Sequence, residues 1–266
     1  MLATLLTERE ELAASGRPRH LSHSRINRYL LCPEQYRLYY IEHLRPVVPS
    51  ASLVFGQVIH HSVAGLLQKQ VDPIECFQDT WGMSQKINLA YKERESWDKL
   101  KVCGEGLLNK FVTDELPKLR NIRAVEKPFE LSITSLDLPF VGIIDLKADV
   151  SGKTTVVDLK TAGSAFDPHE VILTDQLSAY NLAEPGVEQL ALCVLVKTKE
   201  PKIEWHFTTR TGEQLTEYIA KAGYVAREIS TGRFYKRSGF WCSWCDYLPV
   251  CIGDTRKAEA SLVKVR

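Results

Sequence analysis

The chain has 266 residues, of which 44% are hydrophobic and 25% charged, with a formal net charge of +1. That composition describes a globular protein with room for one large domain, or a core and a small satellite. It excludes a disordered or globally basic chain, so any affinity for nucleic acid has to come from local clusters of cations.

Met1 to Ala14 carries Glu8, Glu10 and Glu11 where an export signal needs a basic start and an apolar core, so it reads as a helix. No apolar run approaches the roughly 18 residues of a membrane span. A cytoplasmic protein is expected, in a host cytoplasm if the source is viral. Ser22 or Ser24 can cap a helix through Leu31, and Pro33 suits the start of a second one through about Ile41. Phe55 to Gln68 reads as a helix, and helical patterns continue to about Lys118. Three β-like runs follow at 124–133, 139–150 and 153–160. A helix is expected from Ile172 to Ala183, strands at 189–197 and 202–209, and a helix after the capping box of Thr211 and Gln214. The tail from Gly232 reads as an aromatic, cysteine-bearing loop. This order predicts an α/β fold with one mixed central β-sheet flanked by helices. The expected organisation is a single domain, 1–266. It has a helical region at 20–120, a sheet core at 121–210, and a C-terminal helix and tail at 211–266.

The most informative stretch is Gly142-Ile143-Ile144-Asp145 followed by Val156-Val157-Asp158-Leu159-Lys160, with Ser151-Gly152 between them as a two-residue hairpin turn. A hairpin pivoting there sets Asp145 directly across from Asp158, with Cβ atoms about 4.5–5.5 Å apart. Two carboxylates that close repel, and a divalent cation such as Mg²⁺ or Mn²⁺ removes the cost. Lys160, two residues on, points to the same face, where its ammonium can steady an attacking water or a phosphate. A solvated hairpin face is the plainer alternative. Glu126 and Glu130 precede the Asp145 strand, and either could approach the same cation.

Seven cysteines, an odd number, argue against a disulfide framework. Cys193 lies in an apolar strand-like run, and Cys76 and Cys103 stand alone on helix-like segments. Cys242 and Cys245 form a C-x-x-C pair with Cys251 soon after, a spacing that lets one loop present three thiolates to one centre. A fourth ligand is then needed, and Cys32 is the natural candidate. Zinc, an iron–sulfur cluster and a redox pair all remain open on the residues alone, although a redox pair leaves Cys251 without a role.

Taken together, Asp145 and Asp158-Leu159-Lys160 resemble the PD-(D/E)XK nuclease signature. Gly56-Gln57-Val58-Ile59-His60, Gly142-x-x-Asp145 and Gln176-x-x-x-Tyr180 resemble the G-x-x-x-H, G-x-x-D and Q-x-x-x-Y motifs of its RecB-like and Cas4-like branch. The resemblance implies a restriction-endonuclease-like core. It implies that His60, Asp145, Asp158 and the backbone carbonyl of Leu159 bind Mg²⁺ or Mn²⁺, that Lys160 is catalytic, and that Gln176 and Tyr180 shape the substrate side. It further implies a [4Fe–4S] cluster on Cys32, Cys242, Cys245 and Cys251. Such a cluster forms a subdomain that staples the N-terminal helices and the tail around the sheet. Zn²⁺ is the alternative there.

Arg233, Tyr235, Lys236 and Arg237, with Phe240 and Trp241, interleave cations and rings in a way that suits single-stranded DNA, and Arg25 and Arg28 offer a second set. Trp241 and Trp244 could instead only pack around the cysteines. Ser151-Gly152-Lys153-Thr154 imitates the end of a phosphate-binding loop, but Lys147 stands where that motif wants glycine and a strand follows. The expected activity is hydrolysis of DNA phosphodiesters. The resemblance favours an exonuclease on single strands or DNA ends, in recombination, repair, phage replication or CRISPR adaptation, with an endonuclease also open. A protein partner or a homo-oligomer is compatible with the nearly neutral charge. The rival readings are a non-catalytic DNA-binding or assembly subunit, an iron–sulfur redox sensor, and a zinc-stabilised interaction module.

Overall fold

The computed structural model describes residues 20–69, 71–133, 136, 138–167 and 169–265. The helix expected over Met1 to Ala14 lies outside the described residues.

Ser22, not Ser24, caps α1 (His23–Leu31), its hydroxyl accepting from the Arg25 N–H. α2 (Pro33–Tyr36) opens on Pro33, where a missing N–H costs nothing, and runs on as a wider turn, Arg37–Ile41. The short strand β1 (Leu44–Pro46) follows. The helical stretch then resolves into α3 (Ala51–Lys69), α4 (Pro73–Met83), capped by Asp72, and α5 (Trp97–Lys110), capped by Ser96. Next come β2 (Leu119–Leu131), β3 (Phe140–Val150) and β4 (Lys153–Ala162). The helix expected at 172–183 is two pieces, α6 (Glu170–Leu173) and α7 (Asp175–Ala183). Thr174 between them is extended, at φ −70° and ψ 117°. β5 (Gln189–Val196), β6 (Lys202–Thr208) and α8 (Gly212–Ser230) follow. Both bonds of the capping box ahead of α8 are present, Thr211 N–H to Gln214 at 2.9 Å and Gln214 N–H to Thr211 at 3.2 Å.

The tail is more ordered than its sequence suggests. A 3₁₀ turn (Phe240–Trp244) leads to α9 (Leu248–Ile252), α10 (Thr255–Ser261) and a strand, β7 (Leu262–Lys264). β7 pairs antiparallel with β1, Leu44 opposite Lys264. Three residues are too few to show a strand period, and the partner lies some two hundred residues away. Among the described residues, no helix is long and apolar enough to cross a membrane.

The central sheet runs in the order β2-β3-β4-β5-β6. β3 and β4 are antiparallel, β4 and β5 parallel, β5 and β6 antiparallel, so the sheet is mixed as expected. The parallel step needs a crossover, and α6 and α7 provide it. β5 is buried from Leu190 through Val196, with Cys193 fully covered, so that cysteine is a core residue.

The chain divides into two compact units. Residues 49–129 and 143–215 form the first. One face of its sheet packs Leu146, Ala148, Val157, Leu159, Ala191 and Leu195 against Phe55, Val58, Ile59, Phe77, Trp81 and Leu107 of α3, α4 and α5. Each such large apolar side chain contributes roughly 1.5–3 kcal/mol on burial. The other face packs Ile144, Val156, Leu190, Leu192 and Val194 against Leu177 and Tyr180 of α7. The second unit gathers residues 20–48, 130–142 and 216–265. Residues 20–48 therefore group with the tail rather than with α3 to α5, unlike the expected division at 120. In this unit Arg25 is fully buried, its guanidinium donating to the Tyr36 hydroxyl at 2.8 Å and lying 4.4 Å over the Tyr40 ring. Arg25 is thus an interior residue, which corrects its expected place among surface DNA contacts. Phe234 stacks on Tyr36, with ring centroids 5.9 Å apart.

Candidate active site

The β3–β4 hairpin turns on Ser151 (φ 53°) and Gly152 (φ 80°), the left-handed values of a tight hairpin turn. The register is the expected one, running from Val150 opposite Lys153 to Leu146 opposite Val157. At Asp145 the ladder stops. The carboxylate Oδ2 of Asp145 accepts the Leu159 N–H at 2.8 Å, so a side chain closes the ladder where a backbone carbonyl would. The alternation of β3 breaks at the same residue. Ile144 packs on the α7 side of the sheet and Leu146 on the α3 side. Asp145 is therefore turned toward the β4 backbone instead of standing beside Asp158 on one regular face.

α3 brings His60 to this carboxylate. At Gly56, one turn earlier, a Cβ would meet the Thr161 hydroxyl at 2.9 Å, so glycine permits the helix to lie close on β4. The Nδ1 atom of His60 lies 3.8 Å from Asp145 Oδ2, and the ring bonds the backbone carbonyl of Leu159. Burial pushes the His60 pKa down to about 4, leaving the neutral imidazole that ligates metals.

β2 contributes Glu126, which has φ 49° within a strand. A left-handed, non-glycine residue there is strained, and it redirects its side chain out of the regular alternation. The ligand atoms of His60, Glu126 and Asp145 all lie within 4.8 Å of one another. Burial raises the Glu126 pKa. Burial, and then the neighbouring Asp158 charge, raise that of Asp145 well above the usual carboxylate range. One neutral imidazole and two crowded oxygen donors form a set that a hard divalent cation fits, because the cation offsets their repulsion. The chain order of the residues pointed only to Glu126 or Glu130 as neighbours of this site. Nothing in the local pattern chose between them, and in the structure Glu130 is exposed outside the group.

Asp158 stands outside that trio. It is 1% exposed, with Lys160 Nζ 2.8 Å from Oδ2 and the Tyr180 hydroxyl 3.1 Å from Oδ1. Burial works against the charge on Lys160, but the adjacent Asp158 outweighs it and holds the lysine pKa above its ordinary value. Lys160 is thus a fixed cation. Its ammonium also donates to Gln176 Oε1 at 2.7 Å, while Gln176 Nε2 donates to the Tyr180 hydroxyl at 2.8 Å. That hydroxyl lies 2.8 Å from the Ile143 carbonyl. Burial and the two aspartates raise the Tyr180 pKa, so it stays protonated. Asp145, Asp158, Lys160, Gln176, Tyr180 and His60 are therefore brought together in one place. Arg210, just after β6, donates to Ser178 and to the carbonyls of Val171 and Thr174 at α6 and α7, and no motif marked it in the sequence.

The four singled-out cysteines all belong to the second unit. Cys32 stands at the residue before α2, Cys242 and Cys245 sit at the 3₁₀ turn, and Cys251 lies in α9. Cys245 Sγ accepts from Gln35 at 3.4 Å. The Cys251 thiol is raised by burial, offset in part by Lys236, and senses Cys245 and Cys32 nearby. Among the described residues no three of these sulfurs come within 4.8 Å of one another. Of the expected DNA contacts, Arg237 donates to the Leu30 and Leu31 carbonyls at 2.6 and 3.1 Å, and Lys236 to the Cys251 carbonyl at 2.7 Å. Arg28 lies 3.8 Å over the Tyr39 ring, Arg233 pairs with Glu228 at 3.1 Å, and Tyr235 is 58% exposed.

The sequence profile of the PD-(D/E)XK nuclease superfamily matches residues 20–252. No curated protein matches the chain. Among solved structures, a candidate exonuclease from Eubacterium rectale superposes with a TM-score of 0.54 over 84% of this chain and 85% of its own, at 13% identity. The protein SSO0001 superposes with a TM-score of 0.50 over 94% of this chain and 91% of its own, also at 13% identity. At such identities the likeness is one of fold.

Proposed function

We propose, since the chain belongs to the PD-(D/E)XK nuclease superfamily, that it is a metal-dependent deoxyribonuclease acting as an exonuclease on single-stranded DNA or DNA ends. The observation that carries this reading is the meeting of His60, Glu126 and Asp145 beside a lysine kept charged by Asp158. His60, Glu126 and Asp145 would hold Mg²⁺ or Mn²⁺, with Asp158 and the Leu159 carbonyl as the further ligands of the family pattern. Bound there, the cation supplies Lewis acidity to the scissile phosphate and lowers the pKa of a water. The protein's own work is positional. Neutral His60 and the two carboxylates fix the place of reaction. Lys160 brings positive charge to a phosphate oxygen as negative charge builds in the transition state. Gln176, itself bonded to the Tyr180 hydroxyl, and Asp158 hold that ammonium, so little reorganisation is needed. The motif set at Gly56, His60, Gln176 and Tyr180 supports placement in the RecB-like and Cas4-like branch.

The same reading assigns a [4Fe–4S] cluster to Cys32, Cys242, Cys245 and Cys251. Three of these thiols share one neighbourhood, which supports it. Zn²⁺ held tetrahedrally by the same four thiolates is the alternative. Exposed Tyr235 and the cations around it are the proposed strand contacts.

The test is cleavage of end-labelled single- and double-stranded DNA with Mg²⁺ or Mn²⁺, beside Lys160→Ala and a chelator control. Cleavage lost in both controls supports the reading, and the label pattern gives polarity. Intact, metal-loaded protein that cleaves neither substrate overturns it in favour of a DNA-binding subunit. For the cluster, metal analysis and the visible absorption spectrum separate iron from zinc, with Cys245→Ala expected to bleach the absorption.

A further inference from the structure

We propose that Arg210 is a positioning residue for the reaction, acting through α7 on Gln176 and so on Lys160. This rests on the nuclease reading for its catalytic consequence but not for its geometry.

α7 is a nine-residue helix whose N-terminal turn presents Gln176 to Lys160. An N-cap would be the ordinary way to fix such a turn, yet Thr174 makes no side-chain capping bond. Arg210, just after β6, takes over. Its Nε donates to Ser178 Oγ at 3.0 Å, and one terminal nitrogen donates to the carbonyls of Val171 and Thr174 at 3.0 and 2.9 Å. The other terminal nitrogen reaches Thr208 Oγ1 and the Thr209 carbonyl, each at 3.1 Å. Every N–H of the guanidinium is therefore used, and the fork joins β6 to the junction of α6 and α7. A lysine presents three donors on a flexible stem and cannot reproduce that planar fork.

The far end of α7 has its own clamp. Glu184 receives Lys127 of β2 and Lys147 of β3, each at 2.5 Å. Between the clamps, Leu177, Ala179 and Tyr180 pack against the sheet. That packing holds the middle of the helix on the sheet, but it does not satisfy the polar groups at the two ends. The polar clamps set its register, and Gln176 lies between Arg210's two anchor points, Thr174 and Ser178. Release of Arg210 loosens the turn that holds Gln176 while His60, Glu126 and Asp145, carried by α3, β2 and β3, stay in place.

The experiment uses the full chain with Arg210→Ala, Arg210→Lys, Gln176→Ala and the double variant Arg210→Ala/Gln176→Ala. In Mn²⁺ titrations without DNA, Arg210→Ala is expected to bind Mn²⁺ within about twofold of the parent. Backbone amide exchange at residues 175–178 is expected to accelerate by about tenfold or more, with exchange in β4 and β5 unchanged. On DNA, kcat is expected to fall about tenfold with KM within about twofold, and Arg210→Lys is expected not to restore it. The double variant is expected to be no slower than Gln176→Ala, because residues acting in one chain are non-additive. Additive losses, or Mn²⁺ affinity falling along with kcat, would overturn the proposal. Unaltered exchange at 175–178 overturns it even if the parent protein cleaves nothing. Absent parent cleavage by itself sinks the nuclease reading, and exchange then decides the clamp.

Discussion

The backbone N–H of Leu159 donates to the carboxylate of Asp145 at 2.8 Å, so one side chain both closes the β3–β4 ladder and faces His60. The carboxylate meets this double demand with a pKa raised by burial and by Asp158. For an acid raised in the folded state, the stabilising contribution is complete below the unfolded pKa, about 3.9. It is lost as pH rises through the folded value. Asp145→Asn keeps an oxygen that can accept from Leu159 and removes the charge. In chelator, its melting temperature relative to the parent should therefore climb between pH 4 and pH 7. Calorimetry that finds a constant difference across this range would contradict the assignment.

A divalent cation should offset the same strain. At a concentration one hundred times its dissociation constant, Mn²⁺ bound only to the folded state adds about 2.7 kcal/mol. The parent melting temperature should rise accordingly, and Glu126→Gln or His60→Ala should lose most of the rise. A thermal-shift titration reads this without DNA. An undiminished rise in both variants would remove the trio from the metal site.

Lys160→Met should abolish cleavage and also lower stability, because it leaves Asp158, 1% exposed, with Tyr180 as its remaining described partner. A broken buried pair costs about 3–5 kcal/mol. Lys160 is itself 36% exposed, which reduces the expected loss to about 1–3 kcal/mol. Adding Asp158→Asn should recover most of that stability and none of the activity. Urea unfolding of the single and double variants checks the first statement and end-label cleavage the second.

Tyr180→Phe should cost about 1–3 kcal/mol, because the hydroxyl serves Gln176, the Ile143 carbonyl and Asp158 together. Cleavage should fall less than in Lys160→Met, since Asp158 still holds the ammonium. Equal losses in the two variants would show that the tyrosine does more than orient.

The β3–β4 hairpin was legible because it is local. Alternating residues and a Ser151-Gly152 turn specify a register that the fold keeps from Val150 to Leu146. The helical stretch before the sheet and the mixed sheet followed from side-chain period, whereas His60, Gln176 and Tyr180 were joined to Asp158 and Lys160 only through a resemblance of motifs. The pairing of β1 with β7 did not, because each strand is three residues long and the partner is remote. Nor did the burial of Arg25, whose tyrosine partners come together only once α1 and α2 pack.

The sequence by itself determined the β3–β4 hairpin and the strands and helices around it, since side-chain periodicity is a property of the local backbone. Only the tertiary structure decided how they are aimed. The break in β3 turns Asp145 toward the Leu159 N–H, and the left-handed Glu126 brings a third ligand to the site. Asp158 is withdrawn behind Lys160, and Arg210, just after β6, bonds the junction of α6 and α7. Each of these depends on a backbone departure or a contact between residues distant in the chain, and neither leaves a mark on local sequence pattern.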